Sequence, residues 1–234
     1  MRDYESRAEQ TRRQFVRALP LLGSVGVLGS TTSLLAEQKT EEEEEVSTNE
    51  DLMREHGILK RVLLAYDEII RRIRSRQDFP AQTVTDGATI IRKFIEEYHE
   101  KLEEEHLFPR FRKAGKLVDL VETLLKQHQA GRRITDRVLA TAASLKTQED
   151  RNRLAADLEA FNRMYAPHEA REDTVLFPEL HKIVSPHEYD AMGEQFEGIE
   201  RKTFGGDGFD IYVDKVEALE KQLGIYDLNQ FTPK

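Results

Sequence analysis

The chain has 234 residues, 38% of them hydrophobic and 34% charged, with a formal net charge of −9. That length and apolar share support one sizeable core, and the acidic balance argues against nucleic acid and anionic membranes as main partners. There is no cysteine, which excludes disulfides, thiolate nucleophiles, iron–sulfur clusters and sulfur-ligated zinc. Any metal site must use histidine and carboxylates.

Residues 1–36 read as a signal peptide. A charged stretch, Thr11 to Arg17, leads into the mildly apolar run Ala18 to Ala36, and the Gly, Ser and Thr content of that run makes it a poor permanent membrane helix. Arg12 and Arg13 followed by Phe15 resemble the twin-arginine export signal, with Val16 and Arg17 where leucine and lysine are usual. The expectation is an exported protein, periplasmic or otherwise extracytoplasmic, handled by export machinery and lacking a stable membrane span. Residues 37–50, with the run Glu41 to Glu45, read as a solvated acidic linker.

From Asp51 onward the apolar spacing is helical. The first seam runs Leu52, His56, Leu59, Leu63, Tyr66, Ile70 and Ile73, and the stretch Gln77 to Gln82 breaks it. A second helix turns Ala88, Ile91, Ile95, His99 and Leu102 inward and is expected to stop at Pro109, with a turn at Arg112 to Lys116. A third seam runs Leu117, Val121, Leu124, His128, Gly131, Thr135, Val138, Ala142 and Leu145. A fourth runs Leu154, Leu158, Phe161, Tyr165, His168, Glu172 and Val175, ending at Pro178, with Pro167 expected to kink it or cost it one backbone bond. Two further short helices around the Gly-rich turn Phe204 to Phe209 make up the tail, the second with Val213, Val216, Leu219 or Glu220, and Leu223 at helical spacing. The turn lacks the strand–loop–helix context of a phosphate loop.

Two of these helices carry one pattern. His99 to Pro109 and His168 to Pro178 both read H-E-x-x-E-x-x-x-L-F-P. Each follows a helix with a lone seam histidine, His56 in the first half and His128 in the second. Two such hairpins about a pseudo-two-fold axis make an all-α, up-and-down antiparallel four-helix bundle over residues 51–182, with a C-terminal helical extension over 183–234. Residues four apart lie on one helix face, so each H-x3-E aims an imidazole and a carboxylate at the same point. Four imidazoles and two carboxylates then converge on the core, where burial without partners is costly. A pair of cations resolves this, and nitrogen and oxygen donors without sulfur favour iron, manganese or zinc over softer ions.

His56, His99-x3-Glu103, His128 and His168-x3-Glu172, with L-F-P on helices two and four, resemble the hemerythrin family and its HHE cation-binding branch. The resemblance covers residues 48–182. It implies a non-haem di-iron centre, with His56 and His99 on one iron, His128 and His168 on the other, and Glu103 and Glu172 bridging. The chain departs from the oxygen-carrying pattern at Arg132, which stands where a second third-helix histidine is expected. That pattern also has H-x4-D on helix four, and Asp173 sits at this spacing beside Glu172. Glu172 is preferred because it matches Glu103 in the repeat, and Glu100 is a further candidate for the missing ligand. Tyr165, one turn before His168, reads as a core aromatic or as a hydrogen-bond partner of a bound ligand. His106 reads as rim or core, and His181 and His187 have no partner pattern. Two functional classes remain open: a di-iron protein that binds or reacts with O2, peroxide or nitric oxide, and a non-catalytic iron or oxygen store, scavenger or sensor. Nothing in the sequence names a redox partner, and it does not decide between enzyme and carrier.

Overall fold

A computed structural model describes residues 46–233; the signal-peptide reading and most of the acidic linker lie outside the described residues. Among the described residues the chain is helical with no strand, and six helices follow one another. Helix α1 is Thr48–Arg74, α2 spans residues 82–114, α3 is Val118–Ala142, and α4 spans residues 148–180. Helices α5, Pro186–Phe204, and α6, Gly208–Leu223, complete the set before a short 3-10 turn at Leu228–Phe231. No helix among the described residues is long and apolar enough to cross a membrane.

The helix ends follow from local chemistry. The Ser47 side chain accepts from the Glu50 amide and starts α1, so Thr48 to Glu50, placed in the linker by composition, are already helical. Thr147 and Asp150 form a reciprocal capping box at the start of α4. Gly115, with φ 64°, adopts the left-handed conformation that ends α2 inside the expected turn.

Helix α1 packs against α2 and α4, and α3 packs against the same two, so the four long helices form a ring of neighbours. Their shared core includes Leu59, Val62, Ile91, Leu124, Leu158 and Phe161, each at most 1% exposed. Burying a side chain of this size stabilises by about 1.5–3 kcal/mol. The C-terminal pair is part of the same packing. Helix α6 lies against both α1 and α2, while α5 touches α1. Arg61 on α1 grips Glu220 on α6 through two hydrogen bonds of 2.9 and 2.6 Å.

The α-helix Gln148–Arg171 contains Pro167, which has no N–H to give, so the expected loss of one backbone bond stands. Two expectations about the helices are corrected. Helices α2 and α4 do not stop at Pro109 and Pro178 but continue to Ala114 and Leu180. Finally, Val175 does not belong to the buried seam: Leu176 takes its place, fully buried, as Leu107 does beside half-buried His106. The cause is a widened turn at the same place in both halves. Residues Glu103–Leu107 and Glu172–Leu176 are π-helical, closed by bonds from the Phe108 amide to the Glu103 carbonyl and from the Phe177 amide to the Glu172 carbonyl. Proline has no N–H and its ring crowds the carbonyl four residues back. The helix therefore opens by one residue just before each L-F-P, and the inward face shifts by one.

Candidate metal centre

The widened turns begin at Glu103 and Glu172, the two carboxylates of the repeat. Both side chains are fully buried, together with His56, His99, His128 and His168, which are at most 4% exposed. The four imidazoles meet in two pairs. Nε2 of His56 lies 3.0 Å from Nε2 of His99, and Nε2 of His128 lies 3.2 Å from Nε2 of His168. Each carboxylate faces one ring from each pair. Glu172 Oε2 is 3.4 Å from His56 Nε2 and 3.1 Å from His168 Nε2. Glu103 Oε2 is 3.8 Å from His99 Nε2 and 3.4 Å from His128 Nε2. Two groups result whose donor atoms lie within 4.8 Å of one another and could hold a cation: His56, His99 and Glu103, and His128, His168 and Glu172.

The other edge of every ring is occupied. Nδ1 of His56 lies 2.7 Å from Asp173, that of His99 2.6 Å from Glu55, that of His128 3.2 Å from Glu104, and that of His168 2.9 Å from Gln127. Each partner presents an oxygen that can accept from an Nδ1–H, the arrangement that leaves the inward Nε2 free to take a cation. The rings are also backed by the aromatic of the motif. Phe177 stacks on His56 and Phe108 on His128, both with centroids 5.5 Å apart. The phenylalanine of each L-F-P thus covers the seam histidine of the opposite hairpin.

Asp173 and Glu100 fall outside the two groups. Asp173 sits on the outer edge of His56, as just described. Glu100 is buried, but one oxygen accepts from the Tyr165 hydroxyl at 2.6 Å and the other from Arg132 at 2.6 Å. Arg132 also lies 2.7 Å from Glu104. Glu100, Glu104 and His128 are close enough to form a third cation group, and the guanidinium already stands against both of its carboxylates. Gly131 makes room for this network, because a Cβ there would fall 2.0 Å from the Tyr165 hydroxyl. His106 packs against Phe196 and His181 against Tyr189, both away from the cluster.

Charge compensation in the cluster follows from burial. Desolvation, with the charge of Glu172 beside it, holds Glu103 well above the usual carboxylate range. Burial pushes Glu172 up as well, but His168 and His56 outweigh it and hold that carboxylate well below its usual value. Burial depresses His56, yet Asp173 and Glu172 overcome it and lift the imidazole to about 10. His99 is driven well below its usual value by burial and by the charge of His56. The proton kept by Glu103 removes one negative charge and the one on His56 adds a positive charge where the carboxylates converge.

The fold and this cluster define a helical protein with a buried cation site of histidine and glutamate. Residues 47–180 match the family model "Hemerythrin HHE cation binding domain", and the chain belongs to that family. It is 53% identical over 195 residues to the uncharacterized protein Rv1995 of Mycobacterium tuberculosis (strain ATCC 25618 / H37Rv), covering 82% of this chain and 76% of the relative. The uncharacterized protein Mb2018 of Mycobacterium bovis is similar to the same extent, 53% over 195 residues with 82% and 76% covered. No solved structure matches the chain.

The residues fit a bound cation. Both oxygens of Glu103 and both of Glu172 are buried without a hydrogen-bond partner, which a dry core penalises by about 1–3 kcal/mol per group or more. A cation between the carboxylates and the inward lone pairs satisfies these donor atoms together. The outer acceptors Glu55, Glu104 and Gln127 were not singled out from the sequence. The repeat held a signal for them: Glu55 precedes His56 as Gln127 precedes His128, and Glu104 follows Glu103 as Asp173 follows Glu172.

Proposed function

We propose that this chain is a non-haem di-iron protein that binds or reacts with O2, peroxide or nitric oxide inside an up-and-down four-helix bundle formed by residues 51–182. His56 and His99 would hold one iron and His128 and His168 the other, with Glu103 and Glu172 as the carboxylate donors. The observation that carries this reading is the orientation of the rings: all four histidines are tied at Nδ1 and turn Nε2 toward two unpartnered buried carboxylates. Iron is favoured over manganese and zinc by the family, and the nitrogen and oxygen donor set is compatible with it.

When bound, iron supplies redox chemistry and coordination positions open to a small ligand. The chain's residues do the rest. The near-complete burial of the cluster admits only small molecules. Phe108 and Phe177 shield the seam histidines from water. The Tyr165 hydroxyl, held protonated by burial and by the charge of Glu100, is aimed at that carboxylate, and Arg132 anchors it from the other side. Arg132 occupies the sequence position of a further histidine of the oxygen-carrying pattern, leaving one donor fewer.

We further infer that residues 1–36 direct twin-arginine export and that residues 183–234 are an extension covering the bundle, as the packing of α6 on α1 and α2 supports. A reporter behind residues 1–45 is expected to leave the cytoplasm only with Arg12 and Arg13 intact. Secretion that survives lysine at both positions points to another route. The central test is metal analysis of protein from its own host, then anaerobic reduction and exposure to O2, H2O2 or NO in a spectrometer. Reversible oxygenation identifies a carrier or sensor, and catalytic loss of peroxide or NO identifies an enzyme. Protein that holds no metal overturns the reading.

A further inference from the structure

We propose that the two cation positions are held unequally: the one at His56 and His99 is retained, and the one at His128 and His168 is exchangeable, with Glu55, Asp173, Gln127 and Arg132 setting the difference. The inference rests on the dinuclear reading above. It concerns how the repeat breaks its own symmetry around the imidazoles.

Repeat-related positions place the outer acceptors. Glu55 and Gln127 each precede a seam histidine and each hold the histidine of the following helix. One is a carboxylate and the other a neutral amide. Their distances follow the chemistry, 2.6 Å for Glu55 on His99 and 2.9 Å for Gln127 on His168. Asp173 and Glu104 form the second related pair, at 2.7 Å from His56 and 3.2 Å from His128. Both are carboxylates, but the Glu104 oxygen that faces His128 also lies 2.7 Å from Arg132. Lys60 is the repeat counterpart of Arg132 and does not play that part. It is 60% exposed and pairs with Glu169 at 3.4 Å. Among the described residues neither Glu55 nor Asp173 is ion-paired to a lysine or arginine.

A carboxylate accepting from Nδ1 pushes electron density through the ring and makes Nε2 a better donor. Hydrogen bonds to an ionised acceptor are shorter and roughly twice as strong as neutral ones. The first pair of imidazoles therefore has two full carboxylate acceptors. The second has an amide and a carboxylate whose charge is already engaged by a guanidinium. Glu103 and Glu172 each face one ring of either pair, so they do not assign the stronger hold to one half.

The test is chelator competition on full-length protein reconstituted anaerobically with iron(II), with released iron followed by a chromogenic iron(II) chelator. Wild-type protein is expected to lose its two ions in two phases of equal amplitude. Glu55→Gln and Asp173→Asn should each quicken the slow phase by about 10–100-fold, the usual weight of such an outer partner, and leave the fast phase in place. Gln127→Glu, at a half-buried position, should slow the fast phase, a gain that general damage to the fold would not produce. One phase for both ions in wild type, or a slow phase unmoved by both carboxylate variants, overturns the inference. The starting iron count tests the underlying reading separately, since fewer than two ions before chelation overturns the dinuclear reading itself.

Discussion

Replacing Gly131 with alanine tests the placement of Tyr165 beside the cluster. The added Cβ would fall 2.0 Å from the tyrosine hydroxyl and 2.7 and 2.8 Å from two ring carbons. The ring has little room to retreat, being 1% exposed and packed on Phe161 and His168 with centroids 4.4 and 5.3 Å away. Overpacking of this kind costs about 1–3 kcal/mol. Displacing the hydroxyl also breaks its bond to Glu100, worth about 1.5–3 kcal/mol for a charged acceptor. Alanine in place of glycine in a helix returns about 0.8–1.0 kcal/mol. The net loss is about 2–5 kcal/mol, a fall in thermal midpoint of about 5–15 °C for a chain of this size. Melts by circular dichroism at matched iron loading measure it. Gly57→Ala is the control, since nothing lies within 4 Å of a Cβ there, and it should gain up to about 1 kcal/mol. Adding Tyr165→Phe to Gly131→Ala should cost less than the two losses summed, because the closest contact disappears with the hydroxyl. A Gly131→Ala midpoint equal to wild type would refute the described packing of Tyr165.

Glu103→Ala and Glu172→Ala should each strip most metal from the purified protein, whereas Asp173→Ala should keep it at saturating iron; elemental analysis with the reverse outcome would place helix four in the H-x4-D register. Removing metal should lower the thermal midpoint while helix content below the transition stays, because a ligand of the folded state stabilises by roughly 4 kcal/mol at a thousandfold excess over Kd. Superimposable loaded and chelated melts would mean that the six side chains hold no cation. Glu200 tests the extension: burial lifts this half-buried carboxyl to about 7 from its ordinary 4.5. Its stabilising contribution is therefore full below about pH 4.5 and lost as pH rises through about 7. Glu200→Gln keeps an acceptor for the Phe209 amide. It should match wild type at pH 4–5 and be more stable at pH 8 by on the order of 1 kcal/mol, after allowance for solvent screening. Equal stability at both pH values would show that Glu200 is freely solvated.

The sequence made the seams legible because burial selects side chains at helical spacing, and the four histidines stood in those seams. The pairing of His56 with His99 and of His128 with His168 was implied by the resemblance to the hemerythrin family and not by the spacing, since the repeat relates His56 to His128 and His99 to His168. Helix length past the prolines was not legible. Proline reads as a stop because it lacks an N–H, yet the widened turns ahead of Pro109 and Pro178 let each helix run on past its proline. The packing of α6 on α1 was hidden too. Val216 and Leu219 announced a buried face, but nothing local says which helices it meets.

The repeated L-F-P joins these levels. Its proline widens the preceding turn, and each widened turn starts at a glutamate of the cluster. Without the extra residue the inward positions after Glu103 and Glu172 would be His106 and Val175; with it they are Leu107 and Leu176, both fully buried. The phenylalanine beside each leucine is then carried onto the seam histidine of the other hairpin. The acidic residue after each glutamate, Glu104 or Asp173, reaches the outer edge of that same histidine. One short motif therefore places an inward carboxylate, a ring cover and an outer acceptor within six residues of chain. That the pattern extends past H-x3-E to the proline has a physical reason: the carboxylate supplies a donor, and the residues after it orient a histidine that lies far away in sequence. Symmetry then breaks where function can use it, at Glu55 against Gln127 and at Lys60 against Arg132. These substitutions leave the inward donors alike in both halves and change only what stands behind them.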